Sequence, residues 1–178
     1  MRIISGKHKG THIPVPKNFK ARPTTDFAKE ALFNILANYF DFKGLSVLDL
    51  FSGTGSIGYE FSSRDAGHVD MVEINPRYAG FIRATAERMG FDGIRIFQKD
   101  VFNILPVLKD RYDIIFADPP YYLEDLAKIP DAVFSAGLLA EDGWFILEHG
   151  KKHSFSNHKN FKELRRYGSV HFSIFVHS

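Results

Sequence analysis

The chain has 178 residues, of which 44% are hydrophobic and 25% charged, as expected for one soluble globular domain with a sizeable core. It has no cysteine, which excludes disulfide frameworks and thiolate metal sites, and neither an apolar signal-peptide core nor a membrane-spanning run, so we expect a cytoplasmic protein. The net charge of +2 is unevenly distributed along the chain. Residues 1–30 and residues 151–178 each have a net charge of +5, and residues 31–150 have a net charge of −8. Basic ends on an acidic body indicate a polyanionic partner that binds to the two ends.

The basic N-terminus is predicted to form a β-hairpin over Arg2–Pro16. Ile3–Ile4 and Thr11–Val15 are the strand candidates, and the glycines between them permit a turn. Residues 1–23 carry six basic and no acidic residues, so we treat them as a small basic hairpin and connector that contacts nucleic acid. The candidate phosphate contacts are Arg2, Lys7, Lys9, Lys17, Lys20 and Arg22.

The remaining residues, 24–178, are predicted to form one α/β domain. A helix capped by Thr24 or Thr25 comes first, and its apolar stripe runs to Tyr39. Strands are then predicted at 46–51, 69–73, 94–97, 113–117 and 144–147, helices at 56–64, 76–89, 101–108 and 126–136, and β-rich segments at 161–166 and 169–176. Strands that alternate with helices imply a parallel sheet, and a closing hairpin adds an antiparallel partner.

A glycine-rich loop follows the first strand. The sequence from Asp49 to Gly58 includes Phe51, Gly53 and Gly55 and contains a G-x-G-x-x-G pattern, which also occurs in NAD-binding proteins. An acid at the strand tip would repel a pyrophosphate, whereas it could meet the ammonium group of S-adenosylmethionine. The glycines would let the backbone approach the methionine portion closely.

Acids also follow the second and third strands. Glu73 can accept both ribose hydroxyls of a nucleoside cofactor, although NAD enzymes use the same device. Asp100 could accept the adenine amino group or simply cap the helix that starts at Val101. Ile74 and Phe102 could lie on the two faces of the adenine ring.

The fourth strand runs into Asp118-Pro119-Pro120-Tyr121. The prolines stop the strand and hold a carboxylate, a rigid carbonyl and an aromatic ring together where ligands bind in open α/β sheets. Asp118 and the Pro119 carbonyl could accept the hydrogens of an exocyclic purine amine and localise its lone pair, while Tyr121 stacks on the base. Acids at the ends of four successive strands are a stronger signal than any one of them.

The order from cofactor loop to Asp-Pro-Pro-Tyr resembles class I S-adenosylmethionine-dependent methyltransferases, with a Rossmann-like, mostly parallel seven-stranded sheet. The segments Arg2–Gly6, Arg22–Asp26 and Glu30–Leu36 resemble the bacterial RsmD family. The resemblance implies a cytoplasmic enzyme that methylates guanine N2 in 16S ribosomal RNA, free or in a small-subunit assembly particle. Neither a membrane nor a metal is expected. A metal is not required, because the sulfonium of S-adenosylmethionine is already an activated leaving group.

Two departures and two alternatives accompany this resemblance. Phe27 stands where the family usually has a basic residue, so one RNA contact is in doubt, and Asp65 stands where a glycine is usual. The motif chemistry alone does not separate guanine N2 from adenine N6 of DNA or RNA. An NAD-dependent oxidoreductase is the alternative from another class.

Overall fold

A computed structural model of the protein describes residues 1–19 and 25–178. Lys20, Arg22 and Thr24, which the sequence singles out, lie outside the described residues. Among the described residues, no helix is long and apolar enough to cross a membrane. The helices are α1 (Asp26–Ala37), α2 (Ser56–Ser63), α3 (Pro76–Met89), α4 (Val101–Ile104) and α5 (Ile129–Ala136), which follows a short 3-10 turn at Leu126–Lys128. The strands are β1 (Ser46–Asp49), β2 (His68–Val72), β3 (Ile94–Phe97), β4 (Tyr112–Ala117), β5 (Leu139–His149), β6 (Phe161–Tyr167) and β7 (Val170–Phe175).

The seven strands form one sheet in the order β3-β2-β1-β4-β5-β7-β6. Strands β1 to β5 pair in parallel, and β7 pairs antiparallel with both β5 and β6. This confirms the predicted seven-stranded α/β architecture with its antiparallel C-terminal hairpin. The chain leaves β1 toward β2 and returns to β4 on the other side, so the strand order reverses between β1 and β4, where ligands bind in such sheets.

Hydrophobic layers cover both faces of the sheet. Successive residues of β1 belong to different core clusters, Val47 to one and Leu48 to the other, as the alternation of side chains along a strand requires. Trp144 is buried in β5, and His171 is buried in β7. Tyr39 was expected on the apolar stripe of α1 but lies beyond the end of that helix and is 54% exposed.

The N-terminal segment is less regular than the predicted hairpin. Within the described residues its two arms share one antiparallel bridge, Arg2 with His12, in place of two full strands. Ile3 and Ile13 nevertheless lie in the main hydrophobic core, which fixes the segment against the domain.

A buried carboxylate on α2 holds the first arm in place. Glu60 is fully buried and accepts backbone hydrogen bonds from Ile4 (2.8 Å) and Ser5 (3.0 Å). Arg64 donates to the same carboxylate at 3.0 Å, and the buried Lys29 ammonium lies 3.8 Å from it. A buried acid with these partners is compensated, and removing it would leave two cations and two backbone donors unsatisfied.

The turn of the N-terminal segment packs against the C-terminal end of α2. Lys7 donates its backbone N–H to the Ser63 carbonyl at 2.7 Å, and the Ser63 hydroxyl donates to the Ser5 carbonyl at 2.6 Å. Gly6 has a φ of +83°, and a Cβ added there would lie 1.8 Å from the Ser63 carbonyl oxygen. Glycine is therefore required at this position both by its backbone conformation and by the close approach.

Two glycines of this turn make a matched test. Gly10 has a φ of +82°, but a Cβ added there would meet nothing within 4 Å. Gly10→Ala should therefore lower the free energy of unfolding by about 1 kcal/mol, the cost of the left-handed conformation alone. Gly6→Ala should cost at least about 2 kcal/mol more, because the segment must also move away from α2. Equal losses in urea unfolding would contradict this packing.

Candidate active site

A cavity of about 510 Å³ opens at the carboxyl ends of the parallel strands. Its wall combines the loop after β1, the residues that follow β2, β3 and β4, and the end of β5. Ten of the twelve residues predicted for catalysis and cofactor binding lie in that wall. They are Asp49, Phe51, Gly53, Glu73, Ile74, Asp100, Val101, Asp118, Pro119 and Tyr121.

The glycine loop turns the chain from β1 into α2. Gly53 and Gly55 have φ values of +54° and +90°, a region that other residues rarely adopt. The Gly55 N–H donates to the Ser52 carbonyl at 2.7 Å, which closes the turn. Gly55 lies outside the described cavity lining, and a Cβ added to it would come within 2.5 Å of the Tyr59 ring.

Asp49 ends β1 and is the most deeply buried acid of the cavity wall, at 1% exposure. Neither of its carboxylate oxygens has a hydrogen-bond partner in the described part of the chain. Burial raises the pKa of Asp49 to about 7. The nearby Ser52 hydroxyl and Phe51 N–H oppose the rise although neither is within hydrogen-bond geometry of the carboxylate, and the charges of Asp118 and Glu73 add to it. A cationic group placed in the cavity would satisfy this carboxylate and favour its ionised form.

Glu73 joins two parts of the cavity wall. Its carboxylate accepts the backbone N–H of Gly53 at 2.8 Å and that of Asn75 at 2.7 Å, and so ties the glycine loop to the end of β2. Burial raises the pKa of Glu73, and these two hydrogen bonds oppose the rise. Each carboxylate oxygen has a second lone pair, so the group can still accept ligand hydroxyls.

The residues after β3 divide between the cavity and the core. Asp100 caps α4, with one carboxylate oxygen accepting from Phe102 N at 2.9 Å and Asn103 N at 3.2 Å, and it also lines the cavity. Phe102 lies outside the described lining and packs against the core on that side of the sheet. Ile74 lines the cavity and is 64% exposed, so one of the two residues predicted to contact the adenine ring lies in the described wall.

The Asp-Pro-Pro-Tyr segment forms the opposite wall from the glycine loop. Asp118 follows β4 directly and is half-buried, Pro119 is buried, and Tyr121 is 44% exposed. Tyr122, which sequence reasoning did not single out, is 87% exposed beside it. A carboxylate, a fixed carbonyl and an accessible ring are thus adjacent at the cavity mouth.

Sequence reasoning missed several other residues of the wall. Glu148, near the end of β5, is buried at 4% exposure and lines the cavity. The signal was present, because Glu148 is an acid directly after a predicted buried strand, as Asp118 is. Other lining residues that were not predicted include Thr25, Tyr78, Lys99, Tyr122 and Val170.

The N-terminal segment approaches the glycine loop through its first residues, whereas its turn lies at the other end of α2, against Ser63. None of its predicted phosphate contacts among the described residues lines the cavity. Met1 Sδ approaches the Thr54 hydroxyl at 3.9 Å, and Lys29 joins the Arg2 carbonyl to the Ser56 hydroxyl. Arg2, Lys7, Lys9 and Lys17 are all exposed. Two of them already have acidic neighbours: Arg2 lies 3.7 Å from Asp26 and Lys7 lies 2.5 Å from Asp65.

Known proteins resemble this chain over nearly its whole length. The model of the family described as conserved hypothetical protein 95 matches residues 1–176. A relative in Buchnera aphidicola subsp. Baizongia pistaciae, named ribosomal RNA small subunit methyltransferase D, is 27% identical over 180 residues, which cover 99% of this chain and 91% of that protein.

Solved structures share the fold. A hypothetical protein of Thermus thermophilus is 28% identical with a TM-score of 0.87, covering 99% of both chains. The protein SMU.776, whose crystal structure contains SAH, is 21% identical with a TM-score of 0.66, covering 83% of this chain and 49% of that one. The fold is that of class I methyltransferases.

The buried acid gives the free protein a distinct pH dependence. Between about pH 4 and pH 7 the folded protein holds a proton on Asp49 that the unfolded chain has lost, so the wild type loses stability as pH rises toward 7. Asp49→Asn has no titrating carboxyl at this position and lacks this loss. The free energy of unfolding of Asp49→Asn relative to wild type should therefore rise by about 3 kcal/mol from pH 5 to pH 8. Urea unfolding measures it, and a flat difference would mean that Asp49 is not perturbed.

Proposed function

Since the chain belongs to the conserved hypothetical protein 95 family, the RsmD family of S-adenosylmethionine-dependent ribosomal RNA methyltransferases, we propose that it methylates the N2 amine of one guanine in 16S ribosomal RNA. The observation that carries the proposal is the position of Asp118 and Pro119, which share one cavity with Asp49 and Glu73. A motif for binding an amine and a motif for binding the cofactor lie at the same edge of the sheet. This supports transfer of a methyl group from the cofactor to the amine.

The cofactor is S-adenosylmethionine, and the residues present fit it. The buried carboxylate of Asp49 suits the ammonium group of the methionine portion, and the glycine loop leaves room beside it. Glu73 can accept the ribose hydroxyls, while Asp100, Val101 and Ile74 surround the expected position of the adenine. When bound, the cofactor supplies a methyl group on an activated sulfonium.

The Asp-Pro-Pro-Tyr segment prepares the attacking amine. Asp118 and the Pro119 carbonyl accept its two hydrogens, which turns the lone pair out of the ring's π-system, and Tyr121 stacks on the base. The lone pair would then be directed at the methyl group that the bound cofactor supplies. One N–H proton then leaves through Asp118. The base has to leave its stack to reach this depth.

The N-terminal segment is proposed to hold the RNA backbone. Residues 1–23 would act as the RNA-binding hairpin and connector, and residues 24–178 as the methyltransferase domain. The charge balance of +5 over residues 1–30 supports this role, because phosphate contacts dominate affinity for nucleic acids. A substrate of this kind, either free 16S ribosomal RNA or a small-subunit assembly particle, also makes a cytoplasmic location part of the proposal.

The product base tests the proposal directly. Ribosomal RNA or small-subunit particles from a strain lacking the enzyme would be incubated with the protein and isotope-labelled S-adenosylmethionine, then digested to nucleosides for mass spectrometry. N2-methylguanosine is the expected product. Label in N6-methyladenosine, or label in neither RNA nor particles, would reject the assignment.

Substitution of Asp118 is expected to slow methyl transfer rather than weaken cofactor binding. Asp118→Ala should lower the single-turnover rate of methyl transfer by at least about 100-fold, because the carboxylate acts mainly in the transition state. Binding of S-adenosylhomocysteine, measured by calorimetry, should stay within a few-fold of wild type. A near wild-type rate in the folded variant would mean that another group prepares the amine.

The exposed lysines of the N-terminal segment should set the salt dependence of RNA binding. Replacing Lys9 and Lys17 together by glutamine should weaken RNA affinity and lower the slope of log affinity against log salt by about 1–2, because fewer counterions are released. Cofactor affinity should not change.

The matched control is the pair Lys109 and Arg111. Both are exposed and both lie just before β4, so they lie at the opposite edge of the sheet from the cavity. Replacing them by glutamine removes the same charge and should leave the salt slope nearly at the wild-type value. Equal slopes for both double variants would place the RNA on another surface, with residues 151–178 the next candidate.

A further inference from the structure

The end of β5 brings a second carboxylate to the substrate side of the cavity. Leu147 pairs with Ala117 in parallel register, so Glu148 and Asp118 are the next residues on two neighbouring strands. Neighbouring strands lie about 4.8 Å apart. Both residues line the same cavity, and Glu148 is 4% exposed. The proposed amine site therefore has an acid on each of two adjacent strands.

An ionised carboxylate only accepts hydrogen bonds, and the standard bases differ in what they offer beside an exocyclic amine. The N2 amine of guanine is flanked by N1–H, a donor, on one side and by the acceptor N3 on the other, so guanine alone presents a ring donor beside its exocyclic amine. The N6 amine of adenine is flanked by the acceptors N1 and N7, and the N4 amine of cytosine by the acceptor N3 and a C–H. A second acid beside the amine site thus matches guanine and opposes the other two.

We propose that Glu148 determines base specificity by accepting the N1–H of the target guanine while Asp118 accepts from N2. This inference rests on the proposed guanine-N2 reaction and deepens it. It assigns the choice between guanine and adenine, which the Asp-Pro-Pro-Tyr motif leaves open, to one side chain.

Burial makes this selection strong. A buried carboxylate that meets an acceptor nitrogen cannot exchange it for water, so the wrong base leaves two polar groups facing each other without a hydrogen. The backbone of Glu148 lies within the sheet, opposite Phe172 of β7, so the position of its Cα is fixed by the pairing of the strands.

A base analogue isolates the proposed contact. 2-Aminopurine keeps the exocyclic N2 amine but has an acceptor at N1 in place of the N–H. It would be placed at the mapped target position by ligation into 16S ribosomal RNA, in whichever state, free or assembled, supports methylation of guanine. The measured quantity is the ratio of kcat/KM for guanine to that for 2-aminopurine, with products identified by mass spectrometry.

Wild type should prefer guanine by about 100-fold or more, as expected where a site leaves a buried polar group unpaired with the wrong substrate. Glu148→Gln should lower the ratio at least about tenfold, because the amide can donate to an acceptor at N1. Glu148→Asp, which keeps a carboxylate, should preserve the preference for guanine. Glu141→Gln is the matched control, since Glu141 lies on the same strand but is exposed, and its ratio should equal that of wild type.

The two proposals fail in different ways. If wild type yields no N2-methylguanosine, the proposed function fails and this inference fails with it. If wild type yields N2-methylguanosine but treats the two bases alike, only the role of Glu148 is overturned, whatever the variants do. If Glu148→Gln lowers kcat/KM equally for guanine and 2-aminopurine while it still binds S-adenosylhomocysteine, the role of Glu148 is likewise overturned. A purely structural effect of the substitution would not depend on the group at N1.

Discussion

The burial of several carboxylates at one edge of the sheet is the constraint on which the site depends. Parallel strands all end at the same edge, so acids placed after them converge, and here Asp49, Glu73, Asp118 and Glu148 share one cavity wall. Bringing such charges out of water costs stability unless a proton or a cationic ligand compensates them. The raised pKa of Asp49 is the visible sign of this cost, and a ligand with an ammonium group and amine hydrogens would remove it.

The second constraint is the attachment of a basic segment to this acidic body. Glu60 provides it by accepting from the backbone of the first arm, while Lys29 and Arg64 neutralise its charge. The segment is thereby held along α2, with Met1 beside the glycine loop and the basic turn at the other end of the helix. A polyanion bound to this segment would lie outside the acidic wall of the cavity, so phosphate binding and base selection would use different surfaces.

Local patterns in the sequence predicted much of this site. An acid after each buried strand, positive-φ glycines after β1 and two prolines after β4 are short-range signals, and ten of the twelve chosen residues lie in the cavity wall. Glu60 could not be found this way, because its hydrogen-bond partners lie 55 and 56 residues away and its helix looks like any other. Glu148 was missed although the same rule applied to it. The two full strands expected at the N-terminus reduce to one bridge, since long-range contacts with Glu60 and Ser63 take up backbone groups of the first arm and its turn.

Proton release on cofactor binding tests the central claim most directly. Calorimetry of S-adenosylhomocysteine binding at pH 6.5, in buffers of different ionisation enthalpy, counts the protons exchanged. If the ammonium group meets Asp49, whose pKa is about 7 in the free protein, binding should release about 0.5–1 proton per cofactor. The release should nearly vanish at pH 8 and in Asp49→Asn. Binding of wild type at pH 6.5 with no proton exchange would contradict the account.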